Sequence, residues 1–348
     1  MGPSCERVFA ALEGKRPDRV PLFELVIDPG VMDAIYPGCD YHQFVERFGL
    51  DVAGLNRSSW SRENLDFVDE ARGLFRDPWG VVRALGPESS PYPVEAPIQS
   101  PRDLAAYTPP DPQAPDALGH LDEVVARWKG IKPILWIGRD AFFDPAHLRG
   151  VEQFLMDIHL HPRLVHELIE VAQSYDLPLL RRAVRAGVDI VVLGDDYADK
   201  NAPFMSPRHF EEFFLPGLRR AVDAAHEEGA YVVKHTDGNI MPILDRIVET
   251  GIDGLHPLEP AAGMSLAQVR QRYGNRLCLL GNVDCGPLLS WGTPDQVRAA
   301  VAQCLADGAR EGAFLLSSSN SIHSSVQPCN YLALRDALFE LGTYPLQL

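Results

Sequence analysis

Residues 231–259 read YVVKHTDGNIMPILDRIVETGIDGLHPLE, and their order decides the fold class. A β-branched and aromatic run at 231–237 meets the turn signal Asp237-Gly238-Asn239. Residues 239–250 then space apolar side chains as a helix does, and a second apolar run opens at Gly254. Strand, helix and strand, with crossovers of about 23 residues, make the βαβ unit, whose strands lie parallel. The unit recurs outward. Apolar runs at 20–27 (VPLFELVI), 52–56 (VAGLN), 134–138 (ILWIG) and 189–194 (DIVVLG) precede it, and 277–284 (LCLLGNVD) and 313–319 (AFLLSSS) follow. Continuous apolar runs suit strands covered on both faces. Amphipathic segments such as 207–228 and 294–308 lie between, opened by Ser206-Pro207 and Thr293-Pro294, a capping hydroxyl ahead of proline at the first helical position. Eight strands alternating with helices predict an α/β fold, a (β/α)8 TIM-type barrel. The alternative, an open doubly wound sheet, lacks its usual marks: no GxGxxG follows the first strand and no GxxxxGK[ST] occurs.

One segment breaks the rhythm. Residues 57–120, inserted after the second strand, carry a predicted hairpin around Phe75-Arg76-Asp77-Pro78-Trp79-Gly80 and nine prolines between Pro87 and Pro115. Aromatic and apolar residues recur through it, so it is expected to be an ordered excursion over one mouth of the barrel, within a single domain spanning 1–348.

Composition excludes several classes of function. The 348 residues are 46% hydrophobic and 23% charged, with 48 acidic against 32 basic side chains and a formal charge of −16. Lysine supplies five of those cations, and no basic cluster offsets the acidic field, so nucleic acid and anionic membrane are not expected partners. No apolar run approaches the roughly 18 residues that a bilayer span requires. Six scattered cysteines without a CxxC pair, and an opening without a targeting pattern, point to free thiols and a cytoplasmic location.

In such a barrel the chemistry sits at the C-terminal ends of the strands. Nearly every predicted strand ends there in a polar residue: Glu24, Asn56, Arg139 with Asp140, Asp195 with Asp196, His235 with Asp237, His256 with Glu259, Asn282 with Asp284, and Ser317 to His323. His235 and Asp237, two apart on a strand, point to the interior, while Lys234 points the other way. They suit two metal ligands, or a general base with its orienting carboxylate; a core histidine beside a helix-capping Asp is the structural alternative. Asp195-Asp196 suits cation binding or proton transfer, or else one Asp caps the next helix. Cys285 is a soft ligand or nucleophile, or a buried inert thiol. His323 lies in a hydroxyl-rich loop suited to polar substrate groups.

The order and spacing of several motifs resemble the uroporphyrinogen decarboxylase superfamily, over almost the whole chain. They are Arg16-Pro17-Asp18-Arg19-Val20-Pro21, Asp77-Pro78-Trp79-Gly80, Gly194-Asp195-Asp196-Tyr197 with Met205-Ser206-Pro207, and His235-Thr236-Asp237-Gly238-Asn239. Gly281-Asn282-Val283-Asp284, Gly292-Thr293-Pro294 and the loop leading to Pro328-Cys329-Asn330-Tyr331 complete them. The resemblance implies a (β/α)8 barrel, and members are often dimers. Two branches are distinguishable. The haem-pathway substrate carries eight carboxylates and needs a cationic cleft, yet residues 20–46 contain no Lys or Arg and carry Glu24, Asp28, Asp33, Asp40 and Glu46. The chain is more similar to the corrinoid-dependent methyltransferase and O-demethylase branch. Its zinc-dependent members use His-x-Cys at the fifth strand and a second Cys in the last loop. Here His235 matches, Asp237 replaces the first Cys and Asn320 the second, a harder donor set that suits zinc less tightly; Glu24, Asp195, Cys285 or His323 would complete it.

The resemblance implies methyl transfer between a small methylated compound, such as an aryl methyl ether, and the cobalamin of a separate corrinoid protein. His235 and Asp237 would hold the metal, Asp195 or Glu24 would be the acid–base group, and Asn282, His323, Asn320, Arg139 and His256 would line the substrate. The alternative is a decarboxylase acting on a less anionic substrate than uroporphyrinogen, with Arg139 holding the departing carboxylate. A non-enzymatic ligand-binding barrel is the third reading.

Overall fold

The structure, a computed structural model, describes residues 1–56, 65–86 and 91–347. Chain order gives β1 (Ala53–Asn56), four short strands β2 (Asp66–Asp69), β3 (Leu74–Arg76), β4 (Val82–Ala84) and β5 (Tyr92–Glu95), then β6 (Ile134–Gly138), β7 (Ile190–Leu193), β8 (Tyr231–His235), β9 (Gly254–His256), β10 (Cys278–Val283) and β11 (Phe314–Ser318). The major sheet has seven strands in the order β1-β6-β7-β8-β9-β10-β11, each parallel to the next, with helices in the crossovers. It curls toward a barrel without being a closed eight-stranded one.

The difference from the predicted barrel lies in the run 20–27. It is extended beside β11 and makes isolated bridges, Leu22 with Leu316 and Ile27 with Ile322, rather than a ladder. Two consecutive residues explain this. Pro21 has no N–H to donate, and the Leu22 N–H goes to the Asp51 side chain at 2.8 Å instead of to a neighbouring strand. The predicted strands 231–237 and 254–259 also end early, at His235 and His256, which leaves Asp237 and Glu259 on the loops beyond.

The strands alternate cleanly. Leu135, Ile137, Ile190, Val192, Val233, Cys278, Leu280 and Leu315 point into the curl and form one core with Val8, Ala11 and Leu12 of the helix Pro3–Leu12. That helix covers the N-terminal ends of the strands: Phe9 stacks on Tyr231, the first residue of β8, at 5.5 Å. The intervening residues Trp136, Val191, Leu193, Val232, Leu255, Leu279 and Leu316 point outward into the larger core under the helices. Each such buried side chain contributes about 1.5–3 kcal/mol, so the register of every strand is strongly specified.

The predicted hairpin at 75–80 is present: Phe75 pairs with Arg83 across β3 and β4, antiparallel, within a four-stranded sheet. Asp77 organises its turn by accepting from the Trp79 and Val81 N–H groups and from Arg83 Nε at 2.6 Å. The chain leaving this sheet is tied to the helix Phe143–Arg149 by the Ile98 N–H to the Leu148 carbonyl. Within the 57–120 excursion, residues 57–64 and 87–90 lie outside the described residues. Among the described residues no helix is long and apolar enough to cross a membrane.

Candidate metal and active site

Three strand ends supply the candidate centre. Alternation along β7 puts Ile190 and Val192 inside, and continuing it by two and four residues brings Gly194 and Asp196 to the same side. β8 places His235 inside, and β9 pairs His256 directly opposite it. Asp196, His235 and Asp237 each present a ligand atom, all within 4.8 Å of one another. His235 Nε2 lies 3.6 Å from Asp196 Oδ1 and 3.7 Å from Asp237 Oδ1. Asp237 Oδ1 is buried with no hydrogen-bond donor, although its other oxygen accepts from Asn320 Nδ2. The Asp237 N–H in turn donates to Asp196 Oδ1 at 2.8 Å.

The loop after β8 is drawn tight. The Gly238 N–H donates to Glu259 Oε2 at 2.9 Å and the Asn239 N–H to the Asp199 carbonyl at 2.8 Å. Gly238 sits at φ +82°, where a Cβ would come within 2.7 Å of the Ala198 and Asp199 backbones, so glycine is required there.

Burial controls the charge states. His235 is pushed down to about 4 by desolvation, and Lys234 and Arg139 add to that while Asp196 opposes it. Its imidazole is neutral at pH 7. His256 is pushed well below the usual imidazole value by desolvation and by His235. The two rings meet Nδ1 to Nδ1 at 2.7 Å, so one donates and the other accepts. Asp237 is pushed up to about 8, first by burial, then by Asp196 and Glu259, with Asn320 opposing. The trio thus holds a proton at neutral pH, as closely spaced carboxylates do.

The other residues named from sequence lie elsewhere. Asp195 is fully buried beneath the cluster, on the outward face: its Oδ2 accepts from the N–H groups of Asp140, Ala141, Phe142 and Phe143 at 2.8–3.2 Å. Its neighbour Asp196, the other member of the pair noted in the sequence, is the residue that stands beside His235. Arg139 Nη1 donates to the Gly194 carbonyl at 2.6 Å and lies 3.6 Å from Asp195. Glu24 accepts from the Ser318 N–H and hydroxyl at 3.0 and 2.8 Å, and burial pushes its carboxyl up to about 8. Asn282 spends its amide on the Leu258 carbonyl and the Cys304 thiol, the latter on an outer helix. His323 bridges the Cys285 carbonyl, in the loop after β10, and the Ser325 N–H of its own loop, so both its nitrogens are engaged. Cys285 lies outside the trio; its sulfur faces the Ser319 hydroxyl at 3.5 Å, and burial pushes its thiol up. The third member of the candidate cluster is therefore Asp196.

Comparison with known proteins agrees with this architecture. The family described as Uroporphyrinogen decarboxylase (URO-D) matches residues 80–341. A methylated-thiol–coenzyme M methyltransferase of Methanosarcina mazei is 28% identical over 194 residues, 56% of this chain and 50% of that protein, so the match spans half that relative's length. Uroporphyrinogen decarboxylases of Aeromonas salmonicida and Psychromonas ingrahamii are each 23% identical, over 71% and 86% of this chain and 70% and 81% of their own. Among solved structures, a methyltransferase from Methanosarcina mazei superposes with a TM-score of 0.75 at 22% identity, covering 98% of this chain and 99% of that one, a likeness of fold. With the family match extending over most of its length, the chain belongs to the uroporphyrinogen decarboxylase family.

Proposed function

We propose that this protein is a methyltransferase-type enzyme that holds a divalent metal, zinc in the first instance, on Asp196, His235 and Asp237. It would move a methyl group between a small methylated compound and a separate corrinoid protein. The observation that carries the reading is the trio itself: three ligand atoms within 4.8 Å, one of them a buried carboxylate oxygen without a donor. One nitrogen and two carboxylates form a harder set than a thiolate pair, which suits zinc, cobalt or manganese with modest affinity. When bound, the metal would supply Lewis acidity to the heteroatom that carries the methyl group.

The chain's own residues do the rest. If His235 donates its Nδ1–H to His256 Nδ1, the lone pair of His235 Nε2 faces the two carboxylates, the arrangement that second-sphere partners enforce at metal sites. Asn320 orients Asp237, and Glu259 fixes the following turn through Gly238. A metal held there would displace the proton carried by Asp237, so uptake would fall as pH drops. Arg139 has one guanidinium nitrogen tied to the Gly194 carbonyl, and no cation precedes residue 47 on the 20–46 segment, so a clamp for a polycarboxylate is not in evidence there. The decarboxylase reading is correspondingly weaker.

Elemental analysis of the purified protein and of His235→Ala and Asp237→Ala tests the proposal. Near-stoichiometric zinc in the parent, lost in both variants, is the expected result. No metal even after incubation with zinc would overturn the Lewis-acid mechanism and leave His235 and Asp237 as an acid–base pair.

A further inference from the structure

Lys234 precedes His235 on β8 and points to the opposite face. It is completely buried between the sheet and the helices, where a lysine is rare. Its Nζ reaches the Asp140 carboxylate at 2.6 Å, the Asp195 carbonyl at 2.7 Å and the Leu193 carbonyl at 3.2 Å. An ammonium has three protons, and here three acceptors meet it. It also sits 4.4 Å over the ring of Tyr197, whose hydroxyl donates to the other oxygen of Asp140. Two of these three acceptors belong to the end of β7 and the turn that follows it. The Tyr197 N–H, at the far end of that turn, donates to Thr236 Oγ1 at 2.9 Å. The turn 194–197 is therefore fastened to β8 on both sides of Asp196, by residues that flank His235.

We infer that Lys234 is a positioning residue for the candidate centre: from behind the sheet it fastens the Asp195–Asp196 turn to β8 so that Asp196 meets His235 and Asp237. Within the ligand trio one bond bears on that register: among the described residues the Asp196 side chain accepts a single hydrogen bond, from the N–H of the loop residue Asp237. Asp195 contributes from below, since the four N–H groups on its Oδ2 join the turn to the start of the helix Phe143–Arg149. The part of the inference that concerns metal affinity rests on the function proposed above; the part that concerns position does not.

Lys234→Met alone strands the Asp140 carboxylate and is expected to be strongly destabilised, so the test uses Lys234→Met combined with Asp140→Asn, which removes the buried charges as a pair and keeps a partner for Tyr197. Two readouts are taken on the full chain: exchange of the Asp237 amide proton, which reports its bond to Asp196, and titration with Co2+ alone, followed by its visible absorption. The inference expects Asp237 exchange to quicken at least tenfold in the double variant while the amides of β7 and β8 stay protected, and Co2+ affinity to fall at least tenfold with an altered spectrum. Asp140→Asn alone, which keeps the lysine bond to the Asp195 carbonyl, is expected to stay within threefold of the parent in both. Unchanged Asp237 exchange in the double variant overturns the inference. A parent that takes up no Co2+ overturns the metal reading instead, and the exchange measurement still decides the role of Lys234.

Discussion

The same three strand ends carry two sets of charged residues, one on each face of the sheet. Facing inward are Arg139, Asp196 and His235; facing outward, one position away on each strand, are Asp140, Asp195 and Lys234. The outward set is the more fully bonded. Lys234 meets three acceptors, Asp140 accepts from Lys234 and Tyr197, and Asp195 Oδ2 accepts from four N–H groups. Asp195 Oδ1 has no hydrogen bond and faces Arg139 at 3.6 Å, and every member is at most 1% exposed. The inward set is open: a carboxylate oxygen without a donor, a neutral histidine and a shared proton. A buried polar group left unmatched is costly, so a fold retains one where something else completes it. On the function proposed above, the outward set is scaffold and the inward set, with Asp237, is the place for chemistry.

Substitutions can break that contrast. The largest effect is expected behind the sheet: Lys234→Met leaves Asp140 buried and uncompensated and should cost about 3–5 kcal/mol, read by denaturant unfolding. His235→Ala on the same strand should cost less stability and abolish metal uptake; equal destabilisation by the two would erase the distinction.

Glu24 sharpens the contrast because it is buried with a serine and without a cation. Its folded-state value, about 8, lies above the unfolded 4.5. The stability it confers is therefore complete below pH 4.5 and is lost as pH rises through 8. Glu24→Gln should flatten that decline and gain about 2–3 kcal/mol at pH 9 relative to the parent. Thermal melts from pH 5 to 9 measure it, and parallel curves for the two proteins would count against a neutral Glu24.

Smaller effects belong to the supports of the inward set. His256→Phe keeps the ring volume and removes the Nδ1 partner of His235, and should weaken Co2+ binding about tenfold. Asn320→Ala removes a single bond to Asp237 and should weaken it by only about three- to fivefold, roughly 1 kcal/mol. The reverse ranking would make Asn320 a ligand rather than a support.

Much of this was legible in the chain. The βα rhythm predicted the parallel sheet, and period-two alternation predicted that Lys234 and His235 part company. The same alternation, carried on from Ile190 and Val192, points to Asp196 rather than Asp195; treating Asp195-Asp196 as one acidic unit hid that. The strand count failed at Leu22 because its N–H is claimed by Asp51, a residue 29 positions away whose approach no local pattern announces. The partners of Asn282 were equally hidden: its amide meets Leu258 and Cys304, both tertiary contacts. Cys285 and His323 carry the right chemistry for a site, but loop geometry turns each toward its own neighbours.

The helix Pro3–Leu12 has a kinetic consequence. Val8, Ala11 and Leu12 fill the N-terminal end of the curl among the described residues, and His235 lies at the C-terminal end of β8. On the function proposed above, a small reactant and a macromolecular one would both approach His235 from the C-terminal side, and would have to take turns at it. Initial-rate patterns for such a pair would be ordered or ping-pong, and the first product would inhibit the second reactant by standing in its path.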